Sequence, residues 1–298
     1  MISWKASQIK MDKIVEIREL NFQLQKVINR VENPNHGIFG PNSLIWKINR
    51  ERINLMGGGR ALLLQLAHPW VSAGVEQHSK VKTDLIGRYR RTFHNIRGMV
   101  FGDLKTALKC AKAVYEVHKK VKGRSGENTE YFANNEKVLM WVHSTLWDTS
   151  VKMYELFIRK LSDEELEHYY QDTKFFAYLF GISDETLPEN WKAFTRYTKC
   201  MCNGDTNELK INNNTMALAE HIFNPSILLK LPGKFYKSFT THILPESVRK
   251  LYKLEYGLKQ KFIYESIYQT LKPAYRLLPK RLRYVPEYGQ ALKRIENG

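Results

Sequence analysis

Trp141-Val142-His143-Ser144-Thr145-Leu146-Trp147 is an apolar segment with one ionisable residue at its centre. Residues three, four and seven apart share a helix face, so a helix here sets Leu139, Leu146, Trp147 and Ser150 beside His143 and turns the imidazole into the core. A buried imidazole needs a hydrogen bond, a carboxylate or a metal. Taken alone, such a histidine is more often a satisfied core residue than a ligand.

The same helical period runs outward through almost every long segment, and no alternating run bounded by turns reads as a strand. The chain therefore reads as all-α, a single helical domain. Helices are expected over Lys5 to Val31, Ile45 to Asn54, Arg60 to His68, Arg88 to Val100, and from Asp103 to Val121. Ser43 and Asn134 or Asn135 stand where helix caps belong, Pro69 suits a first turn, and Ser162-Asp163-Glu164-Glu165 has the form of a capping box. Lys122 to Thr129 reads as an exposed loop. With no internal repeat and a weak polar break near Asn212, the organisation is an N-terminal helix (1–36), a helical core (37–211) and a basic helical C-terminal extension packing on that core (212–298).

A chain of 298 residues with 43% apolar content can fill a large core. Cys110, Cys200 and Cys202 form no disulfide framework and suit reduced thiols. The first residues carry no apolar signal region, and nothing approaches ~18 uninterrupted apolar residues. These features lead to an expectation of a cytoplasmic protein, with peripheral membrane attachment left open. The formal charge is +17 and the pI about 9.6, with the excess heaviest after Lys230 and densest at Lys280-Arg281-Leu282-Arg283-Tyr284. No zinc-finger spacing or RNA-recognition motif accompanies it, so no specific nucleic acid is expected. An anionic membrane surface fits, because the basic residues interleave with Leu, Phe, Tyr and Ile. A merely solvated basic face fits as well.

Gly57-Gly58-Gly59-Arg60 lacks the spacing and strand context of either phosphate-loop form. It marks a tight helix start or a place where backbone packs closely on something flat. Val71, Gly74, Val75 and His78 form a stripe with a glycine notch, which admits a neighbouring helix or a planar ligand. Arg88 and Thr92 share a face with Arg91 beside them, able to clamp carboxylates or remain a solvated basic face. A di-iron site needs paired Glu-x-x-His motifs; only Glu165-Leu166-Glu167-His168 has the spacing, and Glu165 belongs to the capping box. Metalloprotease and hydrolase-elbow motifs are absent. A single imidazole, a planar apolar slot and arginines able to meet propionates are together what a b-type haem requires.

Several ordered stretches resemble the haem-dependent oxygenases that include latex-clearing protein, a rubber oxygenase, and the MpaB-type enzymes. The resemblance is carried by Gly57-Gly58-Gly59-Arg60-Ala61-Leu62-Leu63-Leu64-Gln65-Leu66-Ala67-His68-Pro69, Glu76-Gln77-His78-Ser79, Gly87-Arg88-Tyr89-Arg90-Arg91-Thr92, Phe101-Gly102-Asp103 and Trp141 to Leu146. Leu278-Pro279-Lys280-Arg281-Leu282-Arg283-Tyr284-Val285-Pro286 looks like the tail of bacterial members. The resemblance implies a helical fold around a buried haem b, with His143 as the iron ligand and Arg88 and Thr92 beside the cofactor. It also implies dioxygen chemistry on an apolar, unsaturated isoprenoid or lipid-like small molecule, including oxidative C=C cleavage. One position departs: where rubber oxygenases carry a lysine before the threonine, this chain has Arg91, which does not readily deprotonate to ligate iron. His78 is the candidate for steering dioxygen, from its place on the apolar stripe. Two further readings stand beside the oxygenase: a non-enzymatic haem carrier or gas sensor, and a cofactor-free basic helical protein that binds membranes or nucleic acid.

Overall fold

The computed structural model describes residues 13–79, 85–126, 129–223 and 233–297; the side chains at 85, 86, 88 and 89 lie outside that description. The fold is all-α with one small hairpin. In chain order the helices are α1 (Ile17–Arg30), α2 (Leu44–Asn49), α3 (Gly58–Leu66), α4 (Pro69–His78), α5 (Leu85–Phe101) and α6 (Leu104–His118). After the hairpin β1 (Lys122–Arg124) and β2 (Glu130–Phe132) come α7 (Glu136–Phe157), α8 (Asp163–Tyr178), α9 (Trp191–Asn203) and α10 (Asn213–Ile222). Beyond residue 232 lie α11 (Gly233–Ile243), α12 (Glu246–Leu251), α13 (Leu258–Leu277), α14 (Lys280–Arg283) and α15 (Pro286–Glu296).

Local signals set most of these boundaries. The Ser43 and Asp103 side chains accept from Trp46 N and Thr106 N, and Asn135 accepts from Lys137 N and Val138 N at the head of α7. The Ser162–Glu165 box is formed in both directions. Each such cap satisfies amides that the first helical turn leaves without partners.

Three expectations are corrected. The helix expected over Ile45 to Asn54 stops at Asn49 and gives way to a 3-10 turn over Arg52–Gly57. Helix α1 begins at Ile17, and residues 5–12 of the expected helix lie outside the described residues. Just before α1 the chain is extended: Ile14 bridges Asn135, Val15 N donates to Asn134 O at 2.9 Å, and Glu136 N donates to Lys13 O. Neighbouring β-branched Ile14 and Val15 suit that conformation, and Val15 is buried. Lys122 to Arg124 is not loop but strand, paired antiparallel with Glu130–Phe132. Gly123 permits the pairing, since a Cβ there would stand 2.5 Å from Gln77 Oε1.

Helix α7 runs through the middle of the core. Its Leu139, Met140, Trp147, Val151 and Tyr154 join the cluster built on α1, α2, α5, α6 and α8. Trp141 joins a second cluster with α3, α10 and α12, and Met153 and Phe157 a third with α11 and α13. Because the second cluster mixes Leu63 and Leu64 with Leu218 and Ile222, apolar packing continues across Asn212. Farther on, α13 packs on α7, α11 on α3 and α15 on α5.

One polar knot ties the C-terminal segment to the start of the core. Buried Glu51 receives Arg283 Nε and a terminal guanidinium nitrogen at 2.7 and 2.8 Å, and Tyr275 OH donates to its Oε2 at 2.9 Å. Val285 N donates to Arg50 O, and Arg52 Nε to Tyr284 O. A buried carboxylate is tolerated only with such partners, and removing one side of the pair strands the other. Glu51→Gln is expected to cost about 3 kcal/mol of unfolding free energy, read as a lower urea midpoint with an unchanged denaturant slope.

Candidate functional site

His143 sits in the second turn of α7, 3% exposed. Trp147, one turn on, donates from Nε1 to His143 Nδ1 at 2.9 Å, and Phe176 of α8 lies stacked on the imidazole at 6.2 Å between centroids. Trp147 is itself packed edge-on against Phe176 and Tyr169. Burial pushes the His143 pKa down to about 3, so the ring is neutral at physiological pH. An indole N–H can only donate, so Nδ1 carries the lone pair and the single ring proton belongs on Nε2.

Among the described residues, Nε2 has no hydrogen-bond partner. That sets it apart from the other buried polar groups of α7. Ser144 donates to Trp141 O, and Thr145 Oγ1 donates to Val142 O while accepting from Gln65 Nε2. Thr149 Oγ1 and Asp148 Oδ2 both take Arg60, at 2.6 Å each. Arg60 is buried and also donates to Ile243 O, so it locks α3, α7 and α11 together. Within α7 this nitrogen is the one buried side-chain polar atom left over among the described residues, though Asn135 Nδ2 at its cap and Tyr169 OH against Trp147 are also unpartnered, and such a nitrogen is a candidate position for an external ligand.

A cleft runs along α7 near His143, which is not itself among the residues that line it. Leu146, Trp147 and Ser150, three, four and seven residues after His143, form its α7 wall. Phe93, Ile96, Arg97 and Val100 of α5 form another wall, with Leu55, Gly57, Gly58 and Ala61 at the head of α3. Asn49, Glu51 and Asn54 supply a polar edge, and Val285 reaches in from the C-terminal segment. Arg97 is held by both carboxylate oxygens of Glu287, at 3.1 and 3.3 Å. The glycine run serves close packing: a Cβ on Gly57 would stand 2.6 Å from Thr149, and one on Gly59 would meet Thr240 and Tyr236. Gly59 N also donates to Tyr236 OH at 2.7 Å.

Among the other sequence-derived candidates, His78, Arg91 and Thr92 do not line the cleft. Thr92 and Arg91 are exposed on α5, one and two residues before cavity-lining Phe93, and the Arg88 side chain lies outside the described residues. His78 does not reach the cavity. It is exposed and hydrogen-bonds Lys122 O, while Gln77 donates to Arg124 O and accepts from Tyr131 OH, so this end of α4 anchors the hairpin. The Gly74 notch receives Val121 and Tyr131 of the same hairpin. Arg97, overlooked from sequence, belongs to the stripe 93, 96, 97 and 100, whose spacing marks one helix face.

What the residues offer a haem is one neutral, buried imidazole, its Nε2 unpartnered among the described residues, on the helix whose Leu146, Trp147 and Ser150 line a largely apolar cleft with a guanidinium on its wall. Among the described residues, no three His, Cys, Asp or Glu side chains gather as a metal cluster, which a group held by one axial imidazole does not require.

A family model described as "ER-bound oxygenase mpaB/B'/Rubber oxygenase, catalytic domain" matches residues 46–272. The chain is also 25% identical over 224 residues to the uncharacterized proteins Mb2261 of Mycobacterium bovis and Rv2237 of Mycobacterium tuberculosis, covering 74% of this chain and 88% of each relative. No solved structure matches.

The His143 environment has a pH signature. In the unfolded chain the ring titrates near 6.5, whereas burial holds it at about 3 in the fold. The unfolded state therefore takes up a proton that the native state refuses. Stability from this source is complete above pH 6.5 and falls by about 1.4 kcal/mol per pH unit as pH drops towards 3. Between pH 7 and pH 5, denaturant titrations of haem-free protein should show wild type losing about 2 kcal/mol more than His143→Gln. His118 and His242, also shifted downwards, contribute equally to both proteins. Equal losses would mean that the ring is not held neutral.

Proposed function

Because the chain belongs to the family of mpaB-type and rubber oxygenase catalytic domains, we propose that it is a haem b-dependent oxygenase acting with dioxygen on an apolar, unsaturated substrate of isoprenoid or lipid character. The observation that carries this reading is His143 Nε2, the one buried side-chain polar atom of α7 without a partner among the described residues. When bound, haem would supply the activation of dioxygen.

The chain's own residues do the rest. His143 would hold the iron through Nε2, which requires the proton on that nitrogen to leave or to move to Nδ1. In the second case the Trp147 N–H must turn aside, so Trp147 influences how strongly the ligand is held. Phe176 and Trp147 fix the plane of the ring. Phe93, Ile96, Val100, Leu146 and Ala61 form an apolar wall that excludes water and suits a hydrocarbon chain. Arg97, braced by Glu287, presents a guanidinium for a carboxylate such as a propionate. Thr92, next to Phe93 on α5, and Arg88 remain the positions that the resemblance sets beside the cofactor. Oxidative cleavage of a C=C bond is the reaction proposed for the substrate.

The test is an absorption spectrum and pyridine haemochrome assay on protein expressed with ample haem, beside His143→Ala. A b-type Soret band near one equivalent, lost or shifted in the variant, is expected. Oxygen uptake and carbonyl products should then follow on adding an unsaturated isoprenoid. A colourless protein that takes up no added haem would end this reading, and haem without turnover would favour a carrier or sensor.

A further inference from the structure

We propose that the face shared by α11 and α13 docks the protein on an anionic lipid bilayer. The three most exposed large apolar side chains among the described residues all belong to α13: Leu258 at 86%, Leu277 at 84% and Phe262 at 75%. At about 100° per residue, Phe262 lies about 40° around the helix from Leu258, and Leu277 about 60° beyond Phe262. The three therefore project into one sector. Phe235 of α11, 45% exposed, adds a fourth apolar group at the mouth of a pocket lined by Met56, Tyr236, Ile267, Thr270 and Leu271.

Lysines border this surface. Lys259 and Lys261 alternate with Leu258 and Phe262, and Lys234 and Lys237 flank Phe235; all four are exposed. Lys237 also stands over the Phe223 ring. The nearby carboxylates on and before α13 are Glu265, which accepts from Gln269, and Glu255. Within this sector Ser266, Gln269 and Pro273 are uncharged, Lys259 adds a further cation, and Arg276 turns back to donate to Phe157 O and Ile158 O.

Charge and apolarity together select the occupant. Nucleic acid would match the lysines but give Leu258, Phe262 and Leu277 nothing to bury against. A second copy meeting this face symmetrically would set four lysines against four. An anionic bilayer answers both features, with the lysines at the headgroups and the apolar side chains at the acyl boundary. The docking is independent of the haem reading. Among the described residues no helix is long and apolar enough to cross a membrane.

The experiment is vesicle flotation of the full chain with phosphatidylcholine alone and with roughly a quarter phosphatidylserine. Two variants accompany wild type: Phe262→Ser with Leu277→Ser, and Lys259→Glu with Lys261→Glu. Wild type should float with the anionic vesicles and not the neutral ones, and release as salt rises. Each variant should lower the bound fraction on the order of tenfold, with an unchanged thermal unfolding curve because all four side chains are exposed. Absence of binding to anionic vesicles, or equal binding by wild type and both variants, overturns the assignment. So does a concentration-dependent dimer in ultracentrifugation that Phe262→Ser dissolves, or binding to duplex DNA in place of vesicles.

Discussion

Helix α7 takes part in all three apolar clusters, and that burial governs the rest of the molecule. A helix with solvent on one face can leave its hydroxyls and charges to water, but α7 has partners in all three apolar clusters and must satisfy them internally. Arg60 is drawn into the interior to meet Asp148 and Thr149, and Gln65 to meet Thr145. Those two residues of α3 are polar because α7 is, and α3 is held in register by what it donates. Against so complete an exchange, the bare Nε2 of His143 stands out as chemistry rather than packing.

The cleft beside α7 is assembled from segments remote in sequence. Its α5 wall depends on Arg97, which is fixed by Glu287 of α15, and its polar edge includes Glu51, which is fixed by Arg283. The same carboxylate thus closes the fold and borders the cavity. Such buried ionic ties add orientation more dependably than stability.

Helices and caps were legible because their causes are local. Ser43, Asp103, Asn135 and Ser162 cap amides within three residues of themselves, and of the helix face read around His143, Leu146, Trp147 and Ser150 line the cleft. The hairpin was not legible, since strands of three residues containing Lys, Gly and Arg carry no alternating pattern and are held by Gln77 and His78 from another element. His78 shows the limit of stripe reasoning. Periodicity says which residues share a face but not what that face meets, and here it meets backbone carbonyls of the hairpin. Arg97 escaped notice for the complementary reason, because a guanidinium on an amphipathic helix reads as solvated until its partner, nearly two hundred residues away, is known.

The contact between Arg50 and Val285 also sets a schedule for biosynthesis. Ribosomes deliver the chain from its N-terminus, so α7 and its histidine can be folded while the segment that completes the cleft has yet to be made. Until Val285 pairs with Arg50 and Glu287 reaches Arg97, the cleft lacks its last lining residue and its α5 wall lacks its brace. Closure joins positions roughly two hundred residues apart and has to wait for the C-terminal segment to be made. A planar guest that entered during this interval would find an open trough rather than a finished pocket, and the tail would then fasten behind it.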